Sequence, residues 1–213
     1  MKKSDVISLI SALLLTFAGG FCDAYTFIYR GGVFATMQTG NLIKFFISLA
    51  NGEFKVMFLL PILVFILGCL IAALLRKWRY QSHLTLVSLF IIYLLAGFCP
   101  QTEAWNIVCV CLLSLVGAMQ FEAFRRCLSY RYTSTMCTNN MRLLAVGISE
   151  MDIKKVILYV SIVAMFVIGI VSGVYLGKAM NAYSISPIAA VYVAILIIQL
   201  VFKEIPNNEE TKD

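Results

Sequence analysis

Along the chain, long apolar runs alternate with short polar turns. Six runs, at about 6–28, 56–75, 84–101, 104–122, 156–177 and 185–202, carry almost no charge. Each approaches the ~20 residues of helix needed to cross a bilayer. Two further stretches, 33–50 and 132–149, are apolar but short and interrupted. The first contains Thr36, Gln38, Thr39, Gly40, Asn41 and Lys44, and the second Thr135, Thr138, Asn139, Asn140 and Arg142. These two predict re-entrant or broken helices. Irregular backbone at membrane depth is tolerated only where protein buries it or water lines it.

The interrupted stretches share a repeated pattern. Asp23 is followed by Thr36-Met37-Gln38-Thr39-Gly40-Asn41, and Glu122 by Thr135-Met136-Cys137-Thr138-Asn139-Asn140. Every pair is offset by 99 residues (122 − 23, 135 − 36, 140 − 41). A duplicated unit with polar interruptions at matching places is the sequence signature of a repeat-built transporter fold.

Composition sets the class. The 213 residues are 61% hydrophobic and 13% charged, so a polytopic membrane protein is predicted. No soluble stretch is long enough to build a catalytic core. The net charge of +6 sits in short loops between apolar runs, which fits membrane orientation rather than nucleic-acid binding. The apolar run after Met1-Lys2-Lys3 has no convincing small-residue cleavage site and is expected to be an uncleaved first span. The seven cysteines are odd in number and scattered through apolar sequence, which argues against a disulfide framework.

Charge placement discriminates between topologies. If 33–50 and 132–149 both cross, eight spans result, with seven Lys/Arg inside and eight outside. If both are re-entrant, six spans result, with twelve inside and three (Arg30, Lys55, Lys178) outside. The positive-inside rule favours six spans with both termini cytoplasmic. Each repeat then holds three spans, so the second is inverted relative to the first. The expected fold is an all-α membrane protein of two inverted three-helix repeats, 1–103 and 104–202, each with a re-entrant helix. A polar cytoplasmic tail, 203–213, follows.

Asp23 and Glu122 are the candidate proton or cation sites, because an intramembrane carboxylate is by default a functional group. Structural ion pairs are the alternative: Asp23 with Lys44 or Arg30, and Glu122 with Arg142 or Arg125. Thr39-Gly40-Asn41 and Thr138-Asn139-Asn140 resemble helix starts, with Thr and Asn as caps. A helix N-terminus at the midplane offers free N–H groups to an anion or carbonyl, and Lys44 and Arg142 would add positive charge. Thr36, Gln38, Gln120 and Thr135 complete the candidate substrate lining, although Gln120 is as well suited to joining helices. Gly169, Gly173 and Gly177 form a small-residue stripe for close helix approach, within the subunit or in a homodimer, and Gly68 and Ala72 do something similar in 56–75. Phosphate-loop, zinc-protease and serine-triad patterns are absent. No enzyme activity, cofactor or metal is expected.

Three stretches, Gly20-Phe21-Cys22-Asp23-Ala24, Gly31-Gly32-Val33-Phe34 and Thr39-Gly40-Asn41-Leu42, resemble the YoaK-like family of uncharacterised bacterial inner-membrane proteins. The second half is similar at Gly117-Ala118-Met119-Gln120, Ala123, Arg125-Arg126, Thr135, Thr138 and Leu143. It departs at Phe121, where the family tends to have Asn, and at Asn139, where it tends to have Gly. The resemblance implies a multi-pass bacterial membrane protein and supplies no substrate. The functional expectation is a secondary transporter or permease for a small solute. A passive channel and a non-transporting interaction or regulatory subunit are the alternatives.

Overall fold

The computed structural model describes residues 3–202. The tail 203–213 and the first two residues lie outside the described residues. The helices are α1 (Lys3–Tyr29), α2 (Gln38–Ala50), α3 (Val56–Leu74), α4 (Gln81–Ala96), α5 (Glu103–Ala123), α6 (Cys137–Ser149), α7 (Ile153–Met180) and α8 (Ala189–Phe202). A 3₁₀ stretch, Asn181–Ile188, leads into α8. Strands β1 (Arg126–Cys127) and β2 (Tyr130–Arg131) form a small antiparallel hairpin after α5.

Local chemistry explains the breaks. α1 ends before Gly31 and Gly32, whose φ values of 87° and 72° suit only glycine well. Asp152 caps α7 by accepting from the backbone N–H of Lys154 and Lys155. Asn181, at φ 51°, turns the chain out of α7, and Pro187 follows in the 3₁₀ stretch.

Among the described residues, four helical runs are long and apolar enough to cross a bilayer: Lys3–Tyr29, Val56–Lys77, Glu103–Ala123 and Ile153–Phe202. The last contains α7, the 3₁₀ stretch and α8. α4 is a shorter apolar helix. It occupies 81–96 rather than the expected 84–101, because the chain turns at Gly97 and Phe98. The expected run at 185–202 becomes regular α-helix only from Ala189. α2 and α6 each have 13 residues, about 20 Å of helix, well short of the ~30 Å hydrocarbon core. Large apolar side chains point outward from α3, including Ile66 (59% exposed) and Leu74 (74% exposed), as expected where lipid is the solvent.

The halves interlock. α1 packs along α7, and α5 packs along α3. The first long helix of each half therefore lies on the third helix of the other. α2 rests on α3, and α6 on α7. Both seams depend on missing side chains. A methyl group at Gly169 would stand 2.1 Å from the Phe17 carbonyl oxygen, and one at Gly20 2.2 Å from that of Phe166. On the other seam, a methyl at Gly68 would stand 2.5 Å from the Leu115 carbonyl oxygen. Gly169, Gly173 and Gly177 are buried against α1 within one chain. Of the two expected uses of this stripe, packing within the subunit is the one seen here. The main core gathers Leu15, Phe21 and Tyr25 of α1, Leu89 and Tyr93 of α4, Leu113 of α5, and Tyr192 and Ile195 of α8.

Candidate functional site

The two polar hexapeptides have the same pattern of exposure. Thr36 and Thr135 are buried, Thr39 and Thr138 are exposed, Gly40 and Asn139 are half-buried, and Asn41 and Asn140 are buried. Their helices begin at Gln38 and Cys137, after Met37 and Met136, with no side-chain cap in either case. This corrects the expectation that Thr39–Asn41 and Thr138–Asn140 are caps. The helices start one or two residues earlier, so both asparagines lie inside the first turns.

From there, both asparagines reach back seven residues. Asn41 Oδ1 accepts from Phe34 N (2.9 Å), and its Nδ2 donates to Phe34 O (2.7 Å). Asn140 Oδ1 accepts from Thr133 N (3.0 Å), and its Nδ2 donates to Thr133 O (2.7 Å). Each amide closes the extended segment ahead of its helix as a second strand would. These backbone groups are partly buried and have no helix or strand partner of their own, so the amide bonds satisfy them. The clamp on the first half is extended by Gln38, whose Oε1 accepts from Asn41 Nδ2 and whose Nε2 donates to Ala35 O.

The clamped segments meet beside α1. Asp23, 2% exposed, accepts from Thr36 N at Oδ1 (2.9 Å). The Thr36 hydroxyl lies within hydrogen-bond reach of both Asp23 Oδ2 and the Thr135 carbonyl oxygen, the latter at 3.0 Å. Thr36 thus touches its counterpart, 99 residues away, directly. Close approach is again permitted by glycines. A methyl at Gly19 would stand 2.6 Å from Ser134 O, and one at Gly117 2.8 Å from Thr36 Cγ2. Gln120 braces the same place, with Nε2 donating to Leu15 O and Ser134 Oγ, and Oε1 accepting from Tyr192. It joins α1, α5, the second polar segment and α8.

The other sequence candidates lie elsewhere. Glu122 forms ion pairs with Arg76 and with Arg125 (3.5 Å), so its Arg125 pair is the expected one and its Arg142 pair is not formed. The Thr135 hydroxyl, which Glu122 would meet if it copied Asp23, is buried without a partner. The reason is local: the chain after Ala123 leaves the helix for the β1–β2 hairpin, whereas α1 continues to Tyr29. Lys44 donates to Gly32 O and sits over the rings of Phe27 (4.2 Å) and Phe34 (4.7 Å). Arg142 is exposed, 3.5 Å from Asn139 Oδ1. Neither cation reaches Asp23, and the proposed Asp23 pairs with Lys44 and Arg30 do not form. Among the described residues no group of three His, Cys, Asp or Glu lies close enough to hold a metal ion.

Sequence reasoning offered Arg30 only as a partner for Asp23 and missed its actual role. Its side chain is fully buried, with Nε donating to Tyr25 Oη and Nη1 to Pro100 O and Asn106 Oδ1. Nη2 donates to Ala96 O and Cys99 O. All five N–H groups are used. The cation closes the negative end of α4, and the only sequence hint was a lone Arg at the end of an apolar run.

A family model described as protein of unknown function (DUF1275) matches residues 11–198. The chain belongs to this family. The match agrees with the resemblance read from the glycine, Asp23 and Asn41 motifs. No curated protein and no solved structure matches the chain.

Proposed function

We propose that this protein is a secondary transporter or permease for a small solute, coupled to protons through Asp23. The single observation that carries the reading is the Thr36–Thr135 contact beside a buried carboxylate that has no cation partner among the described residues. An intramembrane carboxylate at the junction of two matching polar segments is the arrangement by which a proton can bias one half against the other. In this reading the halves are inverted repeats of three spans, both termini are cytoplasmic, and α2 and α6 enter from opposite faces of the bacterial inner membrane. The short length of α2 and α6 and the twelve-to-three distribution of Lys/Arg support it. Thr39, Gly40, Thr138 and Asn139, at the starts of α2 and α6, would border the solute path. Lys44 and Arg142 would favour an anionic group.

The test is a reconstitution in vesicles carrying an internal pH dye, challenged in turn with small anionic, zwitterionic and neutral solutes. Solute-driven proton movement that Asp23→Asn abolishes is the expected result. Solute flux with no proton movement would make the protein a passive facilitator.

A second reading is favoured by the close packing of Gly19 on Ser134 and Gly117 on Thr36. There the crossing is a permanent brace in an interaction or regulatory protein. Single cysteines at Gly40 and Asn139 would then resist aqueous thiol reagents from both sides, whereas the transporter requires that they label.

A further inference from the structure

The hydrogens at the crossing can be counted. Thr36 Oγ1 contacts two oxygens, Asp23 Oδ2 and Thr135 O. A backbone carbonyl only accepts, so a full bond to Thr135 O uses the hydroxyl hydrogen of Thr36. The Thr36 hydroxyl has no second hydrogen for Asp23. An ionised carboxylate has none either. One hydrogen shared between the two oxygens makes neither bond in full, so a full bond at both contacts needs a second hydrogen, which a protonated Asp23 would supply.

We propose that Asp23 carries a proton on Oδ2 in this conformation and that Thr36 makes the joining of the two halves depend on that proton. The Asp23 O–H donates to Thr36 Oγ1, and the Thr36 O–H donates to Thr135 O. Meanwhile Thr36 N–H donates to Asp23 Oδ1, which fixes which oxygen holds the proton. When the Asp23 O–H bond breaks and the proton leaves to water, the carboxylate becomes an acceptor at both oxygens. The single Thr36 hydrogen then turns to Asp23 Oδ2 and Thr135 O loses its donor. The proton is thus exchanged for one bond between the halves. The nearest other ionisable group is Cys22, beside Asp23 on α1, and around Cys22 lie Tyr93 on α4, Cys109 on α5 and Tyr192 on α8. All are neutral near pH 7, and Asp23 forms no ion pair among the described residues, so no fixed charge replaces the proton. In the second half Gln120 and Ser134 supply the neighbouring bond, and neither titrates. The device has one proton, on the first half only.

This inference rests on Asp23 as the proton site, but its test does not measure transport. Full-length protein in bilayers is followed by infrared spectroscopy and by amide hydrogen exchange as pH is raised from mildly acid to alkaline. A protonated-carboxyl C=O band is expected that Asp23→Asn removes and Thr36→Val shifts. As that band titrates away, protection of the amides in 135–140, corrected for intrinsic exchange, falls about tenfold, the factor matching one hydrogen bond of ordinary net worth. Asp23→Asn, whose Nδ2 donates as the protonated acid does, keeps its protection at every pH, and so does Thr36→Ser once Asp23 is held protonated by acid. Absence of an Asp23-dependent band across the pH range, or protection that does not change as the band disappears in wild-type protein, overturns the proposal. Wild-type protein that shows both signals but moves no solute keeps the proposal and refutes the transport reading. Solute-driven proton movement without the band does the reverse.

Discussion

The seam between α1 and α7 makes a graded prediction for alanine substitutions at its glycines. In Gly169→Ala the new methyl meets the Phe17 carbonyl oxygen at 2.1 Å, where ordinary contact begins at 3.4 Å, so the helices must part locally by about 3.4 − 2.1 = 1.3 Å. The obstacle is backbone, so no side-chain rotation relieves it. Overpacking of this kind costs about 1–3 kcal/mol. The upper end applies here, because parting the seam also loosens Gly20 on Phe166 and Gly173 on Ala24. On the α3–α5 seam, Gly68→Ala requires about 3.4 − 2.5 = 0.9 Å and costs less. Gly173→Ala, whose methyl would stand 3.1 Å from the Ala24 methyl, costs least of the three. The assay is reversible unfolding in mixed micelles, titrated with a denaturing detergent and followed by helical circular dichroism. Val171→Ala, on the outward face of α7 (46% exposed), serves as the control and should change stability by less than ~0.5 kcal/mol. Gly169→Ala as stable as wild type, or Gly173→Ala more damaging than Gly169→Ala, would refute this account of the seam.

Three further outcomes are expected. Arg30→Met leaves the carbonyls of Cys99 and Pro100 without their Arg30 donor and removes one donor from Ala96 O, so it should lower stability by about 3 kcal/mol by the same titration, and Arg30→Lys, with three donors for five acceptors, should recover only part of it. Asn41→Leu and Asn140→Leu each open one two-bond clamp, so each should cost about 1–3 kcal/mol, with the double variant close to the sum because the clamps share no partner. Glu122→Gln removes the Arg76 and Arg125 ion pairs at a partly exposed place and should leave proton-coupled uptake in vesicles intact, in contrast to Asp23→Asn.

The helical, membrane-embedded class was legible because apolar run length alone decides it, and the ends of α3 and α5 fall where the runs do. The ends of α4 and the start of α8 were not legible, since Gly97 and the 3₁₀ stretch from Asn181 interrupt sequence that stays apolar. The 99-residue repeat located the crossing, because Thr36, Thr135, Asn41 and Asn140 occupy matching places. It misassigned the asparagines as caps, because a cap and a side chain bonding back seven residues leave the same mark in a sequence. It also overstated the likeness of Asp23 and Glu122. Burial of the first and pairing of the second depend on whether the helix continues past the carboxylate, and the β1–β2 hairpin decides that. Arg30 was hidden for a related reason: three of its five partners are main-chain carbonyls at and just beyond the end of α4, which no residue pattern announces.

The central claim is that the two halves are inverted, with α2 and α6 entering from opposite faces. Asn51 and Glu150 test it, since each ends its short helix, both are exposed, and they are 99 residues apart (150 − 51). Single cysteines there, with the native cysteines replaced, are labelled by a membrane-impermeant maleimide from one side of sealed vesicles and then the other. Labelling of Asn51→Cys only from outside and Glu150→Cys only from the cytoplasmic side is the predicted result. Labelling of both from the same side would mean that α2 and α6 cross the membrane, that the repeats run parallel, and that the inverted arrangement is wrong.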